Sequence, residues 1–186
     1  MAAVEQNNSV KKPRNWFMDF EAFTTDKKFW LKELCILPCL EEGDVLDEDI
    51  HYNYFIKAND LKDRTVGCYN WQFKRHGLRY EFGDYNFNEA IRDVQLKVGN
   101  GSVLVKGKEK ALFLAKYFNV VELPETLCSF KKCRECMEKA CRLGHSKTFC
   151  AKRKVYILRD AYNKMAKKPD LYNCYFVAYL HVIVNN

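Results

Sequence analysis

Two thiols and an imidazole lie within eleven residues of this 186-residue chain, in the segment CRLGHSKTFCA. Two more cysteines precede it, so the whole pattern is Cys-x2-Cys-x4-Cys-x3-His-x4-Cys. Thiolates and imidazoles bind structural zinc, and four protein ligands usually close such a site. The pattern therefore predicts zinc held by Cys141, His145 and Cys150, with Cys136 as the fourth ligand and Cys133 or Glu21 as alternatives.

The cysteines also bear on the compartment. The chain has nine of them, and its first residues contain no apolar segment typical of a secretion signal. We therefore expect a reducing, intracellular location, cytoplasmic or nuclear, in which disulfides do not form. The competing interpretation of the cluster is a set of buried free thiols beside a capping histidine.

Charge points to a polyanionic partner. The net charge is +7, and residues 131–159 carry ten Lys or Arg against two acids. A basic surface concentrated in one part of a fold attracts phosphate, although a solvated helix face explains the same charge. The predicted nucleic-acid contacts are Lys106, Lys108, Lys110, Lys131, Lys132, Arg142, Lys147, Lys152 and Arg153.

Apolar spacing predicts the elements that carry these residues. Three early strands, of which the first contains FMDFEAF, are expected to form a meander. A helix over NFNEAIRDVQLKVGN, the strand SVLVKG, the helix KEKALFLAKYFN, the strand VVEL and two helices meeting near Gly144 follow. The predicted class is α/β, a mixed sheet flanked by helices.

The same pattern divides the chain into three parts. Residues 1–13 are predicted to be a flexible polar arm, residues 14–167 a single domain, and residues 168–186 an apolar tail. The tail is expected to pack on the domain, on a protein partner or on a second copy of the chain. Since no apolar run reaches the roughly 18 residues of a membrane span, we expect no membrane association.

The order of elements and four short motifs resemble the DEDDh 3′–5′ exonuclease branch of the RNase H-like superfamily, over roughly residues 14 to 165. The motifs are the Asp19-x-Glu21 pair on the first strand, HGL before the first long helix, VLVKGKEKALFL and HSKTFCA. The resemblance implies an RNase H-like fold. It also implies catalytic roles for Asp19, Glu21 and His145, the first two as ligands of paired Mg²⁺ or Mn²⁺ ions and the histidine as general base.

The chain departs from that family at two of its four acidic positions, where Lys110 and Cys150 stand in place of aspartates. An ammonium repels a metal ion, and a thiolate prefers zinc to magnesium. We therefore do not expect two-metal catalysis, and predict instead a salt bridge from Lys110 to the Asp19 and Glu21 pair.

The remaining set, Glu21, Cys141, His145 and Cys150, is similar in residue types and order to the Glu-Cys-His-Cys set of the Maelstrom domain. That RNase H-like domain belongs to small-RNA pathways, and cleavage of single-stranded RNA without the usual metal pair has been ascribed to some members. The resemblance implies a zinc-containing protein that binds nucleic acid, foremost single-stranded RNA, with or without residual nuclease activity.

Two other functions stay open. One is an active exonuclease that depends on magnesium or manganese and completes its site with another acid, such as Asp84 or Glu109. The other is a non-enzymatic adaptor of a small-RNA pathway that docks through its C-terminal tail. Metal-dependent degradation lost on removal of Asp19 would identify the first, and the absence of salt-sensitive RNA binding would identify the second.

Overall fold

The computed structural model describes residues 14–25, 28–39, 50–57, 70, 73–79, 81–130 and 150–167. Within these ranges the strands are β1 (Trp16–Thr25), β2 (Lys28–Pro38), β3 (Tyr52–Phe55), β4 (Ser102–Lys106) and β5 (Asn119–Leu123). The helices are α1 (Phe87–Val98), α2 (Lys108–Leu114) and α3 (Ala151–Ala166), and a 3₁₀ turn spans Glu125–Leu127.

The five strands form one mixed sheet in the order β3-β2-β1-β4-β5. β1, β2 and β3 make an antiparallel meander, while β4 runs parallel to β1 and β5 runs parallel to β4. The predicted α/β class, with a meander and a mixed sheet flanked by helices, is confirmed. Parallel pairing puts the carboxyl ends of β1 and β4 at the same end of the sheet.

Alternation along the strands divides the core between the two sheet faces. Met18, Phe20, Leu34 and Ile36 belong to a cluster that also contains the buried residues of α1 and Leu114 of α2. The other face carries a second cluster, in which the side chains of α3 pack on Phe17, Cys35, Leu37 and Leu104. The sheet is therefore covered on both faces, by α1 and α2 on one and by α3 on the other.

The boundaries of α1 follow from its sequence. Asn86 caps the helix by accepting a hydrogen bond from the Glu89 backbone N–H, and the Glu89 carboxylate accepts one from the Asn86 N–H. Gly99 ends the helix with a positive φ of 56°. The predicted apolar face of Ala90, Ile91, Val94 and Val98 is buried, as expected.

The other helices match the predictions in part. α2 ends at Leu114 and is shorter than predicted, because turns occupy the residues between it and β5. The last predicted helix is confirmed as α3, whereas the helix predicted before Gly144 lies outside the described residues, as do the N-terminal arm and the C-terminal tail. No helix in the described part of the chain is long and apolar enough to cross a membrane.

Candidate functional site

Asp19 and Glu21 lie two residues apart on β1 and point to the sheet face that α3 covers. Both are buried, with exposed fractions of 0% and 7%. In the β1–β2 ladder, Asp19 is paired with Cys35, and Glu21 is paired with Glu33. The fold therefore brings three carboxylates to one covered face, and buried carboxylates require partners that offset their loss of water.

Lys110 supplies the first of these partners. The pairing of β1 with β4 ends at Phe17 and Leu104, so the two strands diverge beyond it. Lys110, in the first turn of α2, lies over this divergence. Its Nζ donates to Asp19 Oδ1 and to the Phe20 carbonyl oxygen, both at 2.6 Å. The predicted salt bridge to Asp19 is confirmed.

Lys154 of α3 supplies the second partner. It was not among the site residues predicted from the sequence. Its ammonium donates a hydrogen bond to Glu21 Oε1 and lies 3.7 Å from Asp19 Oδ2. The lysine is only 7% exposed, although it lies on a helix of mixed composition. One signal was present in the sequence, since Lys154 follows Cys150 by four residues and so shares its helix face.

The charges of this cluster are interdependent. Burial raises the pKa of Glu21 and the Asp19 carboxylate adds to the effect, while Lys110 and Lys154 act in the opposite direction. Burial acts to lower the pKa of Lys154, but the carboxylates of Asp19 and Glu21 outweigh it and raise that pKa. The Lys154 ammonium therefore keeps its proton to a higher pH than an isolated lysine, while the Glu21 carboxyl takes up a proton at a higher pH than an isolated glutamate.

Glu33 is the third buried acid, and its carboxylate holds the start of α3. Oε2 accepts a hydrogen bond of 2.9 Å from the Ala151 backbone N–H, while Oε1 accepts one of 3.1 Å from Asn53 Nδ2. The Cys150 thiol lies 3.7 Å from the same Oε1 atom. A carboxylate at a helix N-terminus also meets the favourable end of the helix dipole. Glu33 was not among the site residues predicted from the sequence.

These contacts test whether the cluster fits the metal pair of the exonucleases. A divalent cation at Asp19 would have to bind where the Lys110 ammonium lies 2.6 Å from Oδ1. Lys154 neutralises the other oxygen and Glu21, so two cations already balance the two carboxylates. The residues present do not fit a magnesium or manganese pair. Asp84 and Glu109, offered as examples of acids that could complete an active exonuclease site, are exposed.

Of the residues predicted to bind zinc, the structure describes Cys150 and the alternative ligand Glu21, whose carboxylate is paired with Lys154. Cys150 is buried and caps α3, with its sulfur 3.5 Å from the Arg153 backbone nitrogen. Cys133, Cys136, Cys141 and His145 lie outside the described residues. Within the described ranges, no group of three or more His, Cys, Asp or Glu side chains could hold a metal ion.

The predicted nucleic-acid contacts that the structure describes differ in their exposure to solvent and in their partners. Lys108 is exposed and Lys152 is half-buried, while Arg153 is only 3% exposed. Lys106 donates to the Cys128 carbonyl at 2.6 Å and lies 3.3 Å from the Glu125 carboxylate. Lys110 forms an ion pair with Asp19. The remaining predicted contacts, Lys131, Lys132, Arg142 and Lys147, lie outside the described residues.

The aromatic residues also differ from one another. Trp16 is in the core, whereas Trp30 is half-buried and lines a cavity. Phe82 and Tyr85 are exposed, and Phe87 lines the same cavity as Trp30. Trp71 and Tyr80 lie outside the described residues.

Comparison with known proteins adds no relative to this description. No protein-family model matches the chain, and no curated protein matches it.

Proposed function

We propose that the chain is an RNase H-like domain that binds single-stranded nucleic acid, RNA foremost, and that it does so without two-metal nuclease chemistry. The observation that carries the proposal is the Lys110–Asp19 ion pair, with Nζ 2.6 Å from Oδ1. The ammonium supplies positive charge to that carboxylate and occupies the space that a divalent ion would need.

The fold and its order of elements support the RNase H-like part of the proposal. An antiparallel meander bears the Asp-x-Glu pair on its first strand, and a strand-helix pair follows with Lys110 at the second acidic position of the family. Cys150, the third acidic position, is the N-cap residue directly before the last helix. The first two motif positions therefore lie on the kind of element that the resemblance implies, and the third lies immediately before its helix.

The charge of the chain supports the nucleic-acid part. The net charge of +7 favours a phosphate-bearing partner, and Lys108 and Lys152 are accessible to such a partner. Single-stranded RNA releases counterions when lysines bind its phosphates. The logarithm of the association constant should therefore fall linearly with the logarithm of salt concentration, with a slope of about −0.7 per phosphate contact.

Structural zinc is a second element of this proposal. Cys136, Cys141, His145 and Cys150 would form a closed tetrahedral site that fixes the start of α3. Native mass spectrometry of the chain and of Cys150→Ser tests it: one zinc ion per chain is expected, and its loss in the variant. A chain that carries no zinc when purified without chelator would contradict this element and leave the ion-pair cluster unaffected.

The nuclease part is tested by incubating single-stranded RNA and DNA with the wild-type chain and with Asp19→Asn, in the presence of Mg²⁺ or Mn²⁺. We expect no degradation that both depends on the divalent ion and is lost in Asp19→Asn. Degradation by the wild type that Asp19→Asn abolishes would contradict the proposal and establish the exonuclease alternative.

The binding part is tested by fluorescence anisotropy with a labelled single-stranded RNA at several salt concentrations. The double variant Lys108→Glu/Lys152→Glu should bind more weakly and with a shallower salt slope. The charge-matched control is Lys164→Glu/Lys167→Glu, at two exposed lysines near the end of α3. Absence of salt-sensitive binding by the wild type would favour the protein-interaction adaptor.

A further inference from the structure

A cavity of about 560 Å³ lies on the sheet face that α1 and α2 cover, away from the ion-pair cluster. Its lining residues come from the start of β2, the end of β3, the first turn of α1, α2 and the turn after α2. They are Phe29, Trp30, Leu31, Ile56, Lys57, Asn86, Phe87, Asn88, Phe113 and Tyr117. The cavity is partly open at the protein surface, so a ligand can enter it from solvent.

Five of the ten lining residues are aromatic, and all five are half-buried. Phe113 lies at the centre of the group, with its ring centroid 5.4 Å from that of Phe29 and 5.8 Å from that of Tyr117. Phe87 packs edge-on against Tyr117 at 5.5 Å. These contacts hold the rings in place before any ligand arrives, which lowers the entropy cost of binding.

The charges around the cavity select among the ligands that aromatic walls can hold. Lys57 is exposed at the cavity, and no acidic residue is among the lining residues in the described part of the chain. The nearby Glu89 carboxylate accepts a hydrogen bond from the backbone N–H of Asn86, one of the lining residues. Lys116 lies with its ammonium 5.9 Å from the Phe113 ring centroid. Aromatic cages for cationic ligands would be opposed by these two lysines, whereas an anionic ligand with a flat ring would be favoured.

We infer that this cavity binds an unpaired base of a single-stranded nucleic acid, with Lys57 and Lys116 at the adjacent phosphates. Base-aromatic stacking tolerates any sequence because every base has a π face, and side-chain amides such as that of Asn88 can contact base edges. The volume is within the range of small-molecule sites. The inference rests on the proposed function and adds a second site, separate from the accessible lysines Lys108 and Lys152.

The experiment compares a labelled ten-nucleotide single-stranded RNA with the same strand lacking its central bases, using fluorescence anisotropy at fixed salt. The abasic strand should bind the wild type roughly 5- to 100-fold more weakly, the range of one or more stacked bases. Tyr117→Leu should weaken binding of the intact strand by a similar factor and leave the abasic strand unaffected. Phe118→Leu, its neighbour outside the cavity, is the matched control.

The outcomes separate this inference from the proposed function. Tight, salt-sensitive binding of both strands with equal affinity would overturn the base-binding cavity and leave the proposed function standing. Failure of the wild type to bind either strand would overturn both. Because the abasic comparison needs no variant, it remains valid even if Tyr117→Leu does not fold, which thermal melting of both variants checks.

Trp30 provides an independent signal inside the cavity. Its emission should change on addition of the intact strand, and the change should be absent in Trp30→Phe, which keeps an aromatic ring at the position. An emission change caused by tetramethylammonium and not by the oligonucleotide would identify a cage for cations and overturn the inference.

Discussion

The Nζ atom of Lys110 lies 2.6 Å from Oδ1 of Asp19, although 91 positions separate the two residues in the chain. Lys154 closes the cluster from α3, with its ammonium against Glu21 and 3.7 Å from the second Asp19 oxygen. Two ammonium groups thus neutralise two buried carboxylates at the end of the sheet where β1 and β4 diverge. The stability of this end of the sheet should depend on both lysines.

Replacing Lys154 by methionine should destabilise the fold by about 3–5 kcal/mol, because it leaves buried carboxylates without a counter-charge. Urea unfolding monitored by circular dichroism measures the change. Lys164→Met, on the same helix but exposed and outside the cluster, should shift the unfolding free energy by less than about 0.5 kcal/mol. Equal effects of the two substitutions would show that the ion pairs contribute no stability.

Lys110→Asp should create an affinity for magnesium that the wild type lacks, since it replaces the ammonium by a third carboxylate beside Asp19 and Glu21. The variant should be less stable than the wild type without metal. Its melting temperature should rise with Mg²⁺ concentration, because a ligand that binds only the folded state stabilises it. A comparable magnesium-dependent rise in the wild-type protein would contradict the account of the cluster.

Glu33→Ala should loosen the start of α3, because it removes the acceptor of the Ala151 N–H and of Asn53 Nδ2. Each buried donor left without an acceptor costs about 1–3 kcal/mol. Hydrogen exchange at the first turn of α3 should accelerate, and the free energy of unfolding should fall. Glu122→Ala, at an exposed position of β5, is the control that should change neither quantity.

Lys32 should make the stability depend on pH. Its Nζ donates to the Ile56 and Phe82 carbonyl oxygens at 2.5 and 2.6 Å. Burial lowers its pKa to about 8, with the Glu81 carboxylate acting in the opposite direction. The unfolded chain keeps this proton up to about pH 10.4, so it binds more protons than the folded chain above pH 8. The free energy of unfolding should therefore gain a contribution that rises between pH 8 and 10.

The comparison with Lys32→Met isolates this contribution. Burial raises the pKa of the Cys35 thiol, so Cys35 makes stability fall with pH above about 8.5 and partly masks the lysine. Subtracting the variant's unfolding free energy from that of the wild type, at pH values from 7 to 9.5, removes the shared cysteine effect. A difference that stays constant over this range would show that the folded-state pKa of Lys32 is not lowered.

Much of the fold could be predicted because local rules decide it. The capping box of Asn86 and Glu89 and the terminal Gly99 define α1, and its apolar spacing defines the buried face. The strands β1, β4 and β5 are short apolar segments bounded by turn residues. The ion pair of Lys110 with Asp19 was predictable too, because a resemblance of motifs assigned both residues to one site.

The rest was decided by contacts between distant parts of the chain. Lys154 meets Glu21 over 133 positions, and Glu33 meets the start of α3 over 118. The rotation of α3 about its own axis decides which of its side chains meet the carboxylates. Apolar spacing does not specify that rotation, because the charged residues Arg153, Lys154 and Arg159 of this helix are all buried. The aromatic cavity likewise forms only where β2, α1 and α2 meet.

By itself, then, the sequence determined the α/β class and the order of the elements, since these depend on residue types and short-range periodicity. Only the tertiary structure decided that a second lysine neutralises Glu21, that Glu33 caps α3 and that five aromatic rings surround one cavity. The physical reason is that each of these depends on the relative placement of packed elements, which follows from burial over the whole sheet.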